Sequence, residues 1–255
     1  MSDKQLPVRS HLLELRSRLT WSVLAVIAGT IVSFIFHQPI LAVLMSPAEG
    51  FSEMPTGKPI YTDLTEFIGV AVRVSLLGGV VLSFPFVLFQ VVRFVSPGLS
   101  LREKKYLYLF VPGALTAFFL GAIFGYKILF PPAVKFLLSF GADVATPYIR
   151  IGNYTSLMVT LLFWMGIVFE TPIVAFFLSK LGVVTPALMA KNRRYAIVAA
   201  FIIGAVITPT FDPVNQALVA LPVIVMYEFG ILLARVGYTG DKLNKPKFGL
   251  NSDKQ

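Results

Sequence analysis

Three glutamates occupy positions where a charge has chemical consequences. Glu14 lies in the run His11-Leu12-Leu13-Glu14-Leu15-Arg16-Ser17-Arg18-Leu19, and Glu103 lies in Ser100-Leu101-Arg102-Glu103-Lys104-Lys105. Both are lone acids among many bases, each next to an apolar segment. A pair of carboxylates in such surroundings suits a cationic ligand, above all a guanidinium, which a carboxylate grips through two parallel hydrogen bonds. Each residue also has a plainer reading. Glu14 stands four residues before Arg18, the spacing of a favourable ion pair on a helix. Glu103 completes a Ser-x-x-Glu capping box that would start a helix.

Glu170 is harder to account for by local structure. It sits inside an apolar run, ten residues before Lys180, about 15 Å along a helix from the edge of that run. An ionised carboxylate at such depth in a bilayer costs at least about 2.5–3.5 kcal/mol. It must be protonated, partnered or turned toward a wet cavity, and Pro172 nearby frees backbone carbonyls that would help to hydrate one. Glu228 lies roughly 10 Å from the edge of its own run. Asp212 is either solvated or the cap of the helix that follows it.

Other chemistries are excluded by what the chain contains. It has no cysteine, which removes disulfides, thiolate metal sites and cysteine nucleophiles. His11 and His37 flank opposite ends of the first apolar run and cannot share a metal. No phosphate-binding glycine loop is present, and no stretch is long enough to build a basic nucleic-acid groove. No cofactor is expected.

The elements that must hold these residues are membrane helices. Of 255 residues, 56% are hydrophobic and 14% charged, against about 25% charged in a soluble domain. Six apolar segments stand out: 19–36, 67–92, 106–131, 151–179, 195–208 and 214–234. The expected fold is all-α and polytopic, one transmembrane domain over 1–235 with a flexible tail over 236–255. The first run is of full spanning length with no small-residue cleavage site after it, so a cleaved signal sequence is not expected. Prolines 85, 112, 172 and 222 fall within spans and predict bent helices.

Lys and Arg set the orientation. Segments 1–18, 93–105, 180–194 and 235–255 hold 17 of them, whereas the alternate connections 37–66, 132–150 and 209–213 hold 3. Both termini are therefore expected in the cytoplasm. Arg73 and Lys127 then fall near the outer ends of their helices, within reach of the interface. The span 195–208 covers only about 21 Å, short of about 30 Å of hydrocarbon. It is either a helix end shielded by its own bundle or a thin point in the barrier. The loop 37–66, with four prolines and four acids, reads as an ordered outer cap. Ser96-Pro97 before Lys104-Lys105-Tyr106 and Thr185-Pro186 before Arg193-Arg194-Tyr195 share one spacing. Each predicts a surface helix that starts at the Ser or Thr.

Taken in order along the chain, these motifs resemble the TatC family, the signal-peptide receptor subunit of the twin-arginine protein translocase. The resemblance rests on His11 to Leu19, on Phe94-Val95-Ser96-Pro97-Gly98-Leu99 with Glu103, on Phe169-Glu170-Thr171-Pro172, and on Thr208-Pro209 with Asp212. It implies a concave, glove-like bundle of six helices in the inner (cytoplasmic) membrane. It also implies that Glu14 and Glu103 hold the two arginines of a signal peptide on folded cargo, with Arg16, Phe94, Pro97 and Leu99 shaping the site. Glu170 would face the concave membrane cavity. Thr208 and Gln216 match positions where single-span TatA- and TatB-type partners dock. The complex would hold several copies and be driven by the proton motive force rather than by ATP, and this subunit would not be an enzyme. A proton-coupled transporter of small molecules is the alternative, with Glu170 as relay. The echo between segments lies in surface loops, however, whereas transporters repeat broken helices at mid-membrane. An intramembrane enzyme is weaker still, because no second acid–base partner accompanies Glu170.

Overall fold

The computed structural model describes residues 8–51, 59–98, 101–140, 142–144, 146–208 and 212–238. Nine helices are built from them: α1 (Val8–Ile35), α2 (His37–Met45), α3 (Glu66–Val95), α4 (Leu101–Phe124), α5 (Phe130–Ser139), α6 (Ile151–Lys180), α7 (Pro186–Lys191), α8 (Arg193–Ile207) and α9 (Pro213–Gly237). Five helical segments are long and apolar enough to cross a bilayer, namely α1, α3, the rod formed by α4 and α5, α6 and α9. The chain is thus an integral membrane protein. The sixth apolar segment, α8, has 15 residues and reaches about 22 Å, so it falls short of that length. The other helices outrun their apolar stretches, because polar ends such as residues 8–18 carry on the same hydrogen-bond ladder.

The rod of α4 and α5 changes pitch at a π turn, Gly125–Leu129, where the Phe130 N–H reaches back to the Gly125 carbonyl. Pro131 and Pro132 follow and have no N–H to keep the tighter ladder, so the wider turn is the local solution. This extends the third segment as far as Ser139, so the connection expected over 132–150 is shorter, confined to 140–150. The prolines at 85, 112, 172 and 222 all lie inside helices.

α6 is the central helix. Its apolar window is 44% buried, against 6% for α1, which packs mainly on α3. Met158, Leu161 and Met165 of α6 form one buried cluster with Phe130, Val70 and Val74. Lipid is as apolar as leucine, so hydrophobicity alone does not hold such helices together, and close backbone approach through small residues does. A Cβ on Gly29 of α1 would stand 2.7 Å from the Gly79 carbonyl of α3. The α4–α6 contact uses Gly121 against the Met165 carbonyl in the same way.

At the end of the bundle away from the α1 amino terminus, a clasp joins the loop before α3 to the start of α6. Ile60 and Arg150 form a parallel bridge, with Ile60 N–H donating to Ile149 O at 2.9 Å and Ile151 N–H to Ile60 O at 2.7 Å. The Glu66 carboxylate accepts from Thr62 N–H (3.0 Å), Gly152 N–H (2.9 Å) and Arg150 Nη2 (3.1 Å). It thereby satisfies one of the unpaired donors at the α6 amino terminus. Asp63 accepts from the backbone and hydroxyl of Thr65, both at 2.9 Å, and these bonds hold its carboxyl below the usual range. Tyr126 O–H donates to Val43 O and Tyr154 O–H to Leu44 O (3.3 Å), tying α2 to the rod and to α6. The loop 37–66 is ordered as far as it is described; residues 52–58 lie outside the described residues.

The two look-alike loops differ. Thr185 caps α7, accepting from Leu188 N–H at 3.1 Å, as its sequence predicts. Ser96 does not start a helix. Its N–H still bonds the Val92 carbonyl, and Ser96–Gly98 form a 3₁₀ turn that closes α3. The cause lies in what precedes each residue. Gly182, at φ 74°, ends α6 with Gly182 N–H on Ser179 O and Val183 N–H on Leu178 O, both at 3.0 Å. This motif stops the helix before Thr185. No such stop precedes Ser96, so there Pro97 ends a helix instead of beginning one.

Candidate functional site

The amino-terminal half of α1 runs beside the last turns of α3. His11, Glu14 and Arg18 are spaced i, i+3, i+7 and share one face, while Gln90 and Phe94 are spaced i, i+4 on α3. The rings of His11 and Phe94 stack at 4.4 Å and 17°. Arg18 Nη1 donates to Gln90 Oε1 at 3.3 Å, and Arg18 Nη2 donates to Glu14 Oε1 at 3.3 Å. The early residue of α1 thus meets the late residue of α3, the register of an antiparallel pair. Glu14 lies between the two contacts with 25% of its side chain exposed. The ion pair expected from its spacing is present, and the carboxylate is held by Arg18 yet remains partly open to solvent.

Phe94 is half-buried, Pro97 exposed and Arg16 exposed. Arg16 O accepts from Thr20 Oγ1 at 2.9 Å, and its side chain is left to solvent. Glu103 is in the first turn of α4, at the same end of the bundle as Glu14; its side chain, like Leu99 and Ser100, lies outside the described residues. Sequence reasoning missed Gln90 and the His11 ring. The signal for Gln90 was available as a lone amide at the end of an apolar run, four residues before an aromatic.

Glu170 is placed along α6 as its spacing from Lys180 requires. It borders a cleft of about 370 Å³ with Ile167, Thr171, Val174, Val184 and Met189, so α7 overhangs one end of it. Glu170 Oε1 is buried without a hydrogen-bond partner among the described residues. Glu228, by contrast, is fully engaged. Its Oε1 lies 2.7 Å from Arg193 Nε and its Oε2 accepts from Arg193 Nη2 at 2.8 Å, a two-pronged pair that ties the start of α8 to α9.

The α8–α9 hairpin carries a polar cluster at its turn. Thr208 is buried and donates through Oγ1 to Gly204 O at 2.8 Å. Gln216 Nε2 donates to Phe201 O at 2.9 Å. Asp212 caps α9, accepting from Asn215 N–H at 2.6 Å and from its Nδ2 at 3.1 Å. Thr208 and Gln216 therefore meet around one stretch of α8, although residues 209–211 between them lie outside the described residues. No cluster of metal-ligating side chains occurs among the described residues.

Comparison with known proteins gives this geometry its context. A profile of the family described as Sec-independent protein translocase protein (TatC) matches residues 10–222. The Sec-independent protein translocase protein TatC of Carboxydothermus hydrogenoformans is 33% identical over 235 residues, covering 92% of this chain and 95% of that one. That of Aquifex aeolicus is 37% identical over 233 residues, covering 91% and 95%. A crystal structure of the twin arginine translocase receptor TatC superimposes with a TM-score of 0.81 at 37% identity, covering 89% of this chain and 99% of the other. Sequence and backbone agree over nearly the same residues: the chain belongs to the TatC family.

Proposed function

We propose that this chain is the receptor subunit of a twin-arginine protein translocase, and that Glu14 and Glu103 take up the arginine doublet of a signal peptide on folded cargo. The observation that carries the reading is the antiparallel seating of α1 on α3. It places Glu14 on the α1 face between the His11–Phe94 stack and the Arg18–Gln90 bond, where Arg18 Nη2 donates to its carboxylate and the side chain stays 25% exposed. A preorganised, half-buried acceptor loses little freedom when it binds, which raises affinity. Glu103 supplies the second acceptor across the turn. Phe94, Pro97 and Leu99 offer apolar surface to the residues beside the doublet, while Arg16 and its basic neighbours repel unspecific cations.

In the same reading both termini face the cytoplasm, the membrane is the inner membrane, and α8 is a sixth, short crossing. Thr208 and Gln216 receive the helices of single-span TatA- and TatB-type partners in a multi-copy complex. Glu170 faces the membrane cavity, and the proton motive force drives transport.

Binding of a labelled twin-arginine peptide to the purified chain in lipid nanodiscs tests the core of this. Glu14→Gln and Glu103→Ala are each expected to weaken binding by about tenfold to a hundredfold, as the loss of a charge-assisted hydrogen bond requires. Glu103→Asp is expected to be milder, and a twin-lysine peptide should bind more weakly than the arginine form. Equal binding of both peptides, or no effect of either glutamate, refutes the assignment.

A further inference from the structure

The Glu14 carboxylate already has a guanidinium on it. Arg18 Nη2 lies 3.3 Å from Glu14 Oε1, and Nη1 of the same group lies 3.3 Å from Gln90 Oε1. Gln90 is 6% exposed and stands on α3, 72 positions away in the chain. Arg18 Nε is buried with no partner among the described residues. A guanidinium matches a carboxylate best through two parallel N–H bonds. Arg18 instead spreads its prongs over two acceptors, both at long distances, and leaves a donor unused. A guanidinium arriving from solvent can make both bonds to Glu14 while Arg18 keeps its hold on Gln90.

Building on the assignment of Glu14 to the signal peptide, we propose that Arg18 is a resident competitor. It neutralises Glu14 in the empty receptor, yields the carboxylate when a signal arginine docks, and so sets the affinity that a signal peptide must exceed. Gln90 is the positioning residue that retains Arg18 once it has let go. Displacing Arg18 lowers the apparent affinity of every ligand by one common factor, as for any receptor whose competent state is only partly populated. The preference for arginine over lysine is not changed by that factor. What changes is which ligands reach useful occupancy, and a lysine doublet is the first to drop below it.

The test uses the full chain in nanodiscs with labelled twin-arginine and twin-lysine peptides. Arg18→Gln should tighten both by about tenfold, equivalent to about 1.4 kcal/mol, with their ratio kept. In a Glu14→Gln background the same change should give no gain, because nothing is left to release. Arg93→Gln removes an equal charge from the same end of α3 without touching Glu14, and should tighten binding by less than about threefold. If Arg18→Gln does not accumulate, Arg18→Lys reads the same release, since an ammonium lacks the fork to hold both acceptors. It should tighten binding by a smaller factor. Weaker or unchanged binding in the Arg18 variants, or an equal gain in Arg93→Gln, overturns the competitor. That result leaves the receptor assignment standing so long as Glu14→Gln still weakens binding. If Glu14→Gln has no effect, it is the assignment itself that fails.

Discussion

Adding one methyl group at Gly204 should loosen the α8–α9 hairpin. A Cβ there would lie 2.8 Å from the Gln216 carbonyl oxygen and 3.3 Å from Gln216 Cγ, whereas ordinary contact begins at 3.4 Å. The obstruction is backbone, so the helices themselves must part by about half an ångström. Overpacking of this kind costs about 1–3 kcal/mol. The shift also stretches the 2.9 Å bond from Gln216 Nε2 to Phe201 O, and such interhelical bonds contribute about 0.6 kcal/mol in membranes. Alanine recovers up to about 1 kcal/mol through its helix propensity. A net loss of about 1–2 kcal/mol follows, which would lower the thermal midpoint in mild detergent by about 2–8 °C. Gly69→Ala is the matched comparison, because nothing lies within 4 Å of the Cβ it would add, and it should be neutral or stabilising. Gly204 also accepts the Thr208 hydroxyl. If Thr208 and Gln216 dock partner helices, Gly204→Ala should reduce co-purification with them while peptide binding at the opposite end is retained. Equal midpoints for the two alanine variants would refute the packing argument.

Three further outcomes follow from contacts within the bundle and its caps. In a double-mutant cycle on peptide-free protein, His11→Ala and Phe94→Ala should couple by about 0.5–1.5 kcal/mol, the range of a stacked aromatic pair; additive losses would deny the stack a part in seating α1. Asp212→Ala should cost about 1 kcal/mol by removing the α9 cap, and Asp212→Asn should recover most of it, both read as thermal midpoints. Asp63 has its carboxyl lowered from the ordinary 3.8 by hydrogen bonds from Thr65. Its contribution is therefore complete above that ordinary value and is lost as pH falls through the lowered one. Protection of the Thr65 amide against exchange should be flat from neutral pH to about pH 5 and fall below about pH 4. In Asp63→Asn that step should be absent.

Much of this architecture was legible because membrane helices are dictated by composition along short stretches. The apolar runs and the shortness of α8 are read from contiguous sequence, and the Thr185 and Asp212 caps and the Glu14–Arg18 pair depend on residues within four positions of one another. Ser96 shows where local rules fail. Ser-Pro reads as a helix start, yet the same dipeptide ends a helix when no glycine stop comes before it, and a motif taken without its upstream neighbours cannot separate the two. Gln90 and Glu66 fail for a different reason. Each acts on a partner 72 or more positions away, Gln90 on Arg18 and Glu66 on Arg150 and Gly152. Such pairs are set by how α1 and α6 pack on α3, and that information is spread over the whole chain.

The acids, considered together, isolate Glu170. Glu14 has Arg18, Glu66 has Arg150 with two amides, Glu228 has Arg193, Asp212 has Asn215, and Asp63 has Thr65. Glu170 contributes the one buried carboxylate oxygen without a hydrogen-bond partner among the described residues. Five described acids are satisfied from within, whereas Glu170 lines a cleft at membrane depth with one oxygen unpartnered among the described residues, so that position is not optimised for the stability of the chain alone. Replacing Glu170 by glutamine removes no bond seen within the chain and lightens a burial penalty, so the isolated bundle should tolerate it. A defect in that variant would then arise from what enters the cleft, a partner's polar group or a passing segment of cargo.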